Sequence, residues 1–352
     1  NGIIDFIKKK HKKEIKDKVI RRYISLYINC VIENPSFDSQ TKERCITSQS
    51  KFGSKPKLSA KFIKKICSNN ELIDKILDAN NKNDNKDLKK TDGKKKNKII
   101  VPKLDDANWA GTNKSDQCTI ILTEGDSAKA MALAGLSIIG RDKYGVFPLK
   151  GKLANVKDIK NVKKLLENDE INNIKKIIGL QSDKTYTSTK ELRYGKVLVL
   201  TDQDEDGSHI KGLLFNLFQT LWPSLFKYPG FLNSMLTPIV KAKKNKNVVT
   251  FYSVKDFHKW KEDNDTKGYS FKYYKGLGTS TPAEAKEYFK DFKLVVYTGE
   301  DKTDIESIEL AFGRDDNSSN KRKQWLCTYD KENTLDYTNK HVSVKDFVNE
   351  DL

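Results

Sequence analysis

The stretch KVLVLTDQDEDGSHIKG, Lys196 to Gly212, decides how the rest of the chain is read. Its apolar, β-branched run Val197 to Leu200 has strand character and stops at three carboxylates in alternate positions, Asp202, Asp204 and Asp206. A glycine follows, then apolar residues at helical spacing, Leu213, Leu214 and Leu217. The carboxylates therefore fall at the C-terminal edge of a strand, the edge at which open α/β sheets bind ligands. Three hard oxygen donors this close repel one another unless a divalent cation holds them. An EF-hand is nearly excluded, because Leu213 occupies the loop position that requires a bidentate Glu, and a strand rather than a helix precedes Asp202. A solvated acidic turn stays open on these residues alone, since Asp and Gly are ordinary turn formers.

Upstream, CTIILTEGDSAKAMALAGL (Cys118 to Leu136) repeats the arrangement. Thr119 to Leu122 reads as a buried strand, Glu124-Gly125-Asp126-Ser127 as a tight turn, and Ala128 to Leu136 as a small-residue helix starting at that turn. Glu124 is thus a carboxylate at a second strand end. The amides at the helix start can receive a phosphate, and Asp126 or Ser127 can equally cap the helix. YGVFPLKGKLANV gives a further strand over Tyr144 to Phe147, followed by Lys150, Lys152 and Asn155. KYYKGLGTST (272 to 281) sets Lys275 beside a Gly-Leu-Gly turn, and KRKQW (321 to 325) is a basic-aromatic cluster. No phosphate-loop GxxxxGK[ST] or zinc-binding HExxH motif occurs.

The 352 residues suffice for two or three domains, with 37% apolar residues. A formal net charge of +18 points to an anionic partner, nucleic acid before membrane, since no apolar run is long enough to span a bilayer. Cys30, Cys45, Cys67, Cys118 and Cys327 are scattered, with no CxxC pair, which suits a reducing compartment. No signal-peptide pattern follows Asn1, and the chain is expected to begin inside a longer protein. Lys8, Lys9, Lys10, Lys12 and Lys13 surround His11 in what reads as a basic loop, either a solvated face or a phosphate-backbone contact. Strand-like alternation runs from Tyr23 to Ile32, and FDSQTKE places Gln40, Thr41 and Lys42 in a polar loop. Apolar residues between Leu58 and Leu77 recur at helical spacing around a break at Ser68-Asn69-Asn70. The Asn, Lys and Asp tract 79 to 98 has almost nothing to bury and is expected to be a disordered insertion.

TEGDSAKA, FPLKGKLANV, LTDQDEDGSHIKGLL with the following WPSL, KYYKGLGTST and FDSQTKE occur here in the order they take in eukaryotic-type DNA topoisomerase II, a type IIA enzyme, which the chain resembles over nearly its whole length. RDKYGVFPLKG and WPSL are closer to the eukaryotic enzyme than to bacterial gyrase. The resemblance implies an α/β fold: a TOPRIM Rossmann-like parallel sheet flanked by helices, preceded by the end of a transducer α/β domain and a helical linker. It implies a transducer segment over 1–58, a linker over 59–116 containing the 79–98 insertion, the TOPRIM domain over 117–235, its extension over 236–336, and the start of the winged-helix breakage-rejoining domain over 337–352.

By the same resemblance, Glu124, Asp202 and Asp204 match the Mg²⁺ ligands, with Asp206 completing the acidic set and Mn²⁺ or Ca²⁺ able to stand in structurally. Gln40, Thr41 and Lys42 match the loop that reaches the ATP γ-phosphate. Lys152, Asn155, Arg322 and Lys323 match positions that contact double-stranded DNA, and Lys8, Lys9 and Lys10 resemble the transducer's lysine loop, here two residues shorter. The implied protein is an ATP-hydrolysing isomerase, homodimeric and nuclear, that cleaves both strands of a duplex, passes another through and reseals. Its nucleophilic tyrosine is expected outside this chain, since none of the fourteen tyrosines present occupies the matching context. The fragment alone is therefore expected to be inactive. Two other classes compete: a TOPRIM nuclease or primase, against which KYYKGLGTST and FDSQTKE argue, and a non-catalytic metal-dependent DNA-binding module.

Overall fold

In the computed structural model, which describes residues 2–53, 58–159, 161–314, 317–328, 330, 335–337 and 339–352, the apolar runs leading to Glu124 and to Asp202 lie side by side as parallel strands. The chain divides into two units, Asn1–Lys86 and Asp87–Leu352.

The first unit is helical: α1 (Gly2–His11), α2 (Asp17–Arg21), α3 (Ala60–Cys67) and most of α4 (Asn70–Lys89). Ile7, Ile15, Val19, Ile20, Ile73 and Ile76 form its core. The break read at Ser68 to Asn70 separates α3 from α4, and the Ser59 hydroxyl caps α3 by accepting from the Phe62 N–H at 3.2 Å. Three expectations need correcting. Lys8, Lys9 and Lys10 are the last turn of α1 rather than a loop, a place where cations complement the helix dipole. Tyr23 to Ile32 forms no strand: Leu26, Tyr27, Ile28 and Val31 are 81 to 96% exposed, and the unit's described residues offer only the single bridge Phe37–Cys45, so the alternating pattern has no ladder to join.

The third correction is the tract 79–98, which is ordered. Its first half continues α4, where Asn80 is buried and donates to Asp84 at 2.9 Å. Its second half, within the other unit, is strapped down by buried cations. The Lys175 ammonium donates to Leu88 O at 3.1 Å, Thr91 Oγ1 at 2.8 Å and Ser182 Oγ at 3.0 Å, and pairs with Asp92 at 3.1 Å. Arg193, fully buried, donates from Nε to Lys96 O at 2.7 Å and pairs with Asp106. An apolar count misses this, because backbone carbonyls and paired charges hold the tract.

The second unit carries β1 (Thr119–Thr123), α5 (Asp126–Ile139), β2 (Tyr144–Pro148), α6 (Val162–Leu166), α7 (Asp169–Ile178), β3 (Lys196–Leu200), α8 (Glu205–Leu221), α9 (Pro223–Phe226) and β4 (Leu232–Met235). A small antiparallel sheet follows, built from β5 (Val240–Lys244), β6 (Asn247–Phe251) and, after α10 (Val254–Asp263), β7 (Ser270–Tyr273), in the order β6-β5-β7. The chain then gives α11 (Pro282–Lys290), β8 (Leu294–Thr298), α12 (Lys302–Phe312), α13 (Ser318–Cys327), β9 (His341–Ser343) and α14 (Val344–Glu350). The main sheet runs β2-β1-β3-β4-β8-β9, its first four strands parallel and β8 antiparallel to β4.

The central strands are buried on both faces, which is why they read as continuous apolar runs. Ile120, Leu122, Val197 and Val199 point into the core shared with α7 and α8, while Ile121, Leu198 and Leu200 point into the one shared with α5 and α11. The extension read over 236–336 sends β8 back into the same sheet. Residues 337–352, read as the start of a winged-helix domain, supply β9 and α14, with Val342, Val344, Phe347 and Val348 buried in the main core. No described helix is long and apolar enough to cross a membrane.

Candidate functional site

β1 and β3 pair in register, Thr123 opposite Leu200, so the residues that follow them emerge side by side. Glu124 keeps the sheet going by donating its N–H to Leu200 O at 3.3 Å, and Gly125, at φ 138°, turns the backbone into α5. Glu124 Oε2 accepts from the Asp202 N–H at 3.3 Å. Asp202 Oδ1 accepts from the Leu277 N–H at 2.7 Å, and Asp204 caps α8 by accepting from the Gly207 N–H at 2.8 Å. Asp206 stands apart from this group: its carboxylate is 66% exposed and pairs with Lys152 at 2.7 Å.

The electrostatics follow the geometry. Burial raises the Glu124 pKa, the Asp202 N–H bond opposes the rise, and the charges of Asp202, Asp204 and Asp206 add to it. Asp202 is likewise raised, by burial first and then by Asp204, against the Leu277 N–H bond. Asp206 is lowered by its bond to Lys152 and by that cation's charge. Two carboxylates held up by burial and by the charge of neighbouring carboxylates are a donor set that a hard divalent cation would relieve, so the residue types fit such an ion. Among the described residues no group of three or more His, Cys, Asp or Glu is arranged to hold a metal ion. The structure thus brings Glu124 and Asp202 together, while the Asp204 carboxylate faces its own helix and Asp206 faces Lys152.

The loop after β2 carries Lys152 and Asn155. Asn155, expected at a DNA-contacting position, has its side chain engaged within the protein. Its Nδ2 donates to Asp158 Oδ1 at 3.1 Å and Phe312 O at 3.0 Å, and its Oδ1 accepts from Asn216 at 2.7 Å and the Lys157 N–H at 3.1 Å. Both donors and both lone pairs are used, which makes it a tie between this loop, α8 and α12. On α13, Arg322 is half-buried and donates to Gly313 O at 2.8 Å, whereas Lys323 is exposed.

In the first unit Lys8, Lys9 and Lys10 are exposed, Lys8 3.7 Å from Glu14 and Lys10 5.5 Å from the centroid of the Phe6 ring. Gln40, Thr41 and Lys42 lie at the tip of a turn closed by Asp38 N–H to Arg44 O at 3.2 Å, with Lys42 at φ 58° and its side chain exposed. Sequence reasoning missed the part of the 272–281 loop that matters most here. The pattern draws the eye to Lys275, yet the group that touches the site is the backbone N–H of Leu277, reached because Gly276, with no side chain, lets the loop come close to Asp202.

A parallel sheet with Glu124 at one strand end and Asp202 and Asp204 at the next defines a Toprim domain joined to its C-terminal partner. The Toprim domain family matches residues 119–231, the C-terminal associated domain of TOPRIM matches 235–352, and the DNA gyrase B family matches 1–96. Among curated proteins, the probable DNA topoisomerase 2 of Dictyostelium discoideum is 47% identical over 98% of this chain and 23% of its own length. DNA topoisomerase 2 of Plasmodium falciparum is 47% identical over 98% of this chain and 25% of its own length. DNA topoisomerase 2 of Drosophila melanogaster is 49% identical over 93% of this chain and 23% of its own length. The solved DNA-binding, cleavage and re-ligation domain of Plasmodium falciparum topoisomerase II is 49% identical, with a TM-score of 0.69, covering 72% of this chain and 35% of that one. The chain belongs to the eukaryotic DNA topoisomerase 2 family, and spans about a quarter of the length of these curated relatives.

Proposed function

We propose that this chain is the portion of an ATP-dependent type II DNA topoisomerase that supplies the Mg²⁺ site and part of the DNA-binding surface for transient double-strand cleavage and religation. The observation that carries it is the convergence of Glu124 and Asp202 at neighbouring strand ends, both with raised pKa values. Glu124, Asp202 and Asp204 would hold Mg²⁺, and Asp206 would lie at the rim of the site. When bound there, the cation supplies Lewis-acid stabilisation of charge on the leaving 3′ oxygen. Lys152, Arg322 and Lys323 hold phosphates, and the Asp206 carboxylate keeps the Lys152 ammonium beside the acidic edge. Asn155 acts by fixing the loop that carries Lys152. In the first unit, Lys8, Lys9 and Lys10 present charge to the DNA backbone, and Lys42 pairs with the ATP γ-phosphate, with Gln40 and Thr41 beside it. The nucleophilic tyrosine lies in another part of the enzyme, which works as a homodimer in the nucleus.

The test is ATP-dependent passage of one duplex through another by the full-length enzyme. Glu124→Gln and Asp202→Asn should each reduce Mg²⁺-dependent cleavage by orders of magnitude while leaving duplex binding in place. Nicking without religation would favour the nuclease class, and binding without cleavage the non-catalytic module.

A further inference from the structure

Asp202 is not oriented by its own strand alone. Its Oδ1 accepts the Leu277 N–H at 2.7 Å, and a Cβ at the neighbouring Gly276 would lie 2.4 Å from its Oδ2. The 275–278 loop is therefore pressed against this carboxylate, and it is anchored on two sides. The Leu277 side chain, 4% exposed, is sunk in the core between β3, α5 and α11. Around the loop, Glu284 of α11 gathers four donor groups of three residues, from both ends of the loop. Lys272 donates to Oε1 at 2.7 Å and Oε2 at 2.8 Å, Tyr274 donates to Oε1 at 2.6 Å, and the Thr281 N–H and hydroxyl donate to Oε2 at 2.8 and 3.0 Å.

We infer that the Gly276-Leu277 loop, locked by Glu284, is a positioning element for the Asp202 carboxylate, and that it sets the cation affinity of the strand-end site. This rests on the metal-binding reading above and deepens it. A carboxylate has about four lone-pair positions; the Leu277 N–H takes one on Oδ1 and fixes the plane of the group, so Oδ2 is presented in one direction. Glu284 acts at one remove: its bonds to Lys272 and Tyr274 on one side and Thr281 on the other close the loop like a clasp. Burial alone would raise the Glu284 carboxyl, yet its bonds from Lys272, Tyr274 and Thr281 bring it down to about 2, so the clasp stays charged at any working pH. Gly278 in the same loop has no atom within 4 Å of a built Cβ and serves as the control.

The experiment measures Mn²⁺ affinity of the 352-residue chain by electron paramagnetic resonance, with thermal melting and duplex binding run on each variant. Asp202→Asn should abolish the Mn²⁺ signal change. Gly276→Ala should weaken Mn²⁺ binding about tenfold or more, the size usual for loss of a group that orients a metal ligand. Glu284→Gln, which keeps the shape and loses the charge, should weaken it in the same direction, with duplex binding unchanged and a melt that stays cooperative at a somewhat lower temperature. Gly278→Ala should match wild type. If Gly276→Ala and Glu284→Gln bind Mn²⁺ like wild type while Asp202→Asn does not, the positioning role is wrong and the metal site stands. If Asp202→Asn itself binds like wild type, the metal reading falls. Should Gly276→Ala lose its cooperative melt, Glu284→Gln decides the matter alone.

Discussion

Glu124 holds a charge that its surroundings oppose: it is partly withdrawn from water and faces Asp202, Asp204 and Asp206. Crowded carboxylates are destabilising without a cation, so Glu124→Gln should raise the melting temperature of the cation-free chain slightly, since solvent screens much of the repulsion on a partly exposed group. If Glu124 is a ligand as proposed, added Mg²⁺ should stabilise the wild type and stabilise the variant less. Calorimetry with and without Mg²⁺ checks both; a variant less stable than wild type in the absence of cation would mean that the carboxylate is a structural acceptor. The thiols give a second test at this scale. Cys30, Cys45 and Cys327 are exposed, while Cys67 and Cys118 are buried. Burial, with Asp106 and Asp116 adding to it, pushes the Cys118 thiol up to about 11, so it is neither accessible nor ionised at neutral pH. A thiol reagent should count three groups in the native chain and five after denaturation. Glu124 and Asp202 could be read from the sequence because each ends an apolar run. The Leu277 N–H could not, since a backbone donor leaves no mark in composition, and Asn155 passes for a free side chain there because its partners Phe312 and Asn216 come from distant segments.

Elements bury one face or two, and that decided which of them the sequence revealed. β1 and β3, enclosed on both sides, stand out as unbroken apolar runs, whereas the strap ending near residue 98 has hardly an apolar residue and is held through Lys175 and Arg193. The Lys175 and Asp92 side chains are 4% and 15% exposed, so removing one partner strands a buried charge. Asp92→Ala should destabilise the chain by about 3 kcal/mol, read from denaturant melts. Pairing it with Lys175→Met should recover much of the loss, because a matched apolar replacement leaves no orphan charge. Deleting residues 87 to 98 should prevent folding of the second unit. A deletion that melts like wild type would restore the view of this tract as a spacer. The alternation over Tyr23 to Ile32 misled for the opposite reason: period and residue type suit a strand, but a strand exists only beside another.

Over the whole molecule, the surplus of +18 should govern affinity, and the acidic strand edge should govern chemistry. The order of five motifs carried the family in the sequence; the merging of the extension into one sheet did not show there, because a return strand such as β8 has no partner signal of its own. Affinity for a duplex comes chiefly from released counterions, so each phosphate-binding cation removed should flatten the slope of log affinity against log salt by about 0.9. Lys323 is exposed on α13 and Arg322 also ties that helix to Gly313 O, so Lys323→Ala tests charge alone and Arg322→Ala tests charge together with anchoring. Both should weaken binding and flatten the salt slope in the full-length enzyme, with cleavage recovering at high enzyme concentration. Asp202→Ala should do the reverse. Removing an acidic group lessens repulsion of phosphate, so duplex binding should hold or tighten slightly while cleavage falls by orders of magnitude. Binding isotherms at several salt concentrations, set beside cleavage assays on the same preparations, separate the two roles. If Asp202→Ala lost duplex binding in step with cleavage while its melting curve stayed unchanged, the strand edge would be an affinity element, and the cation would have to be sought elsewhere in the enzyme.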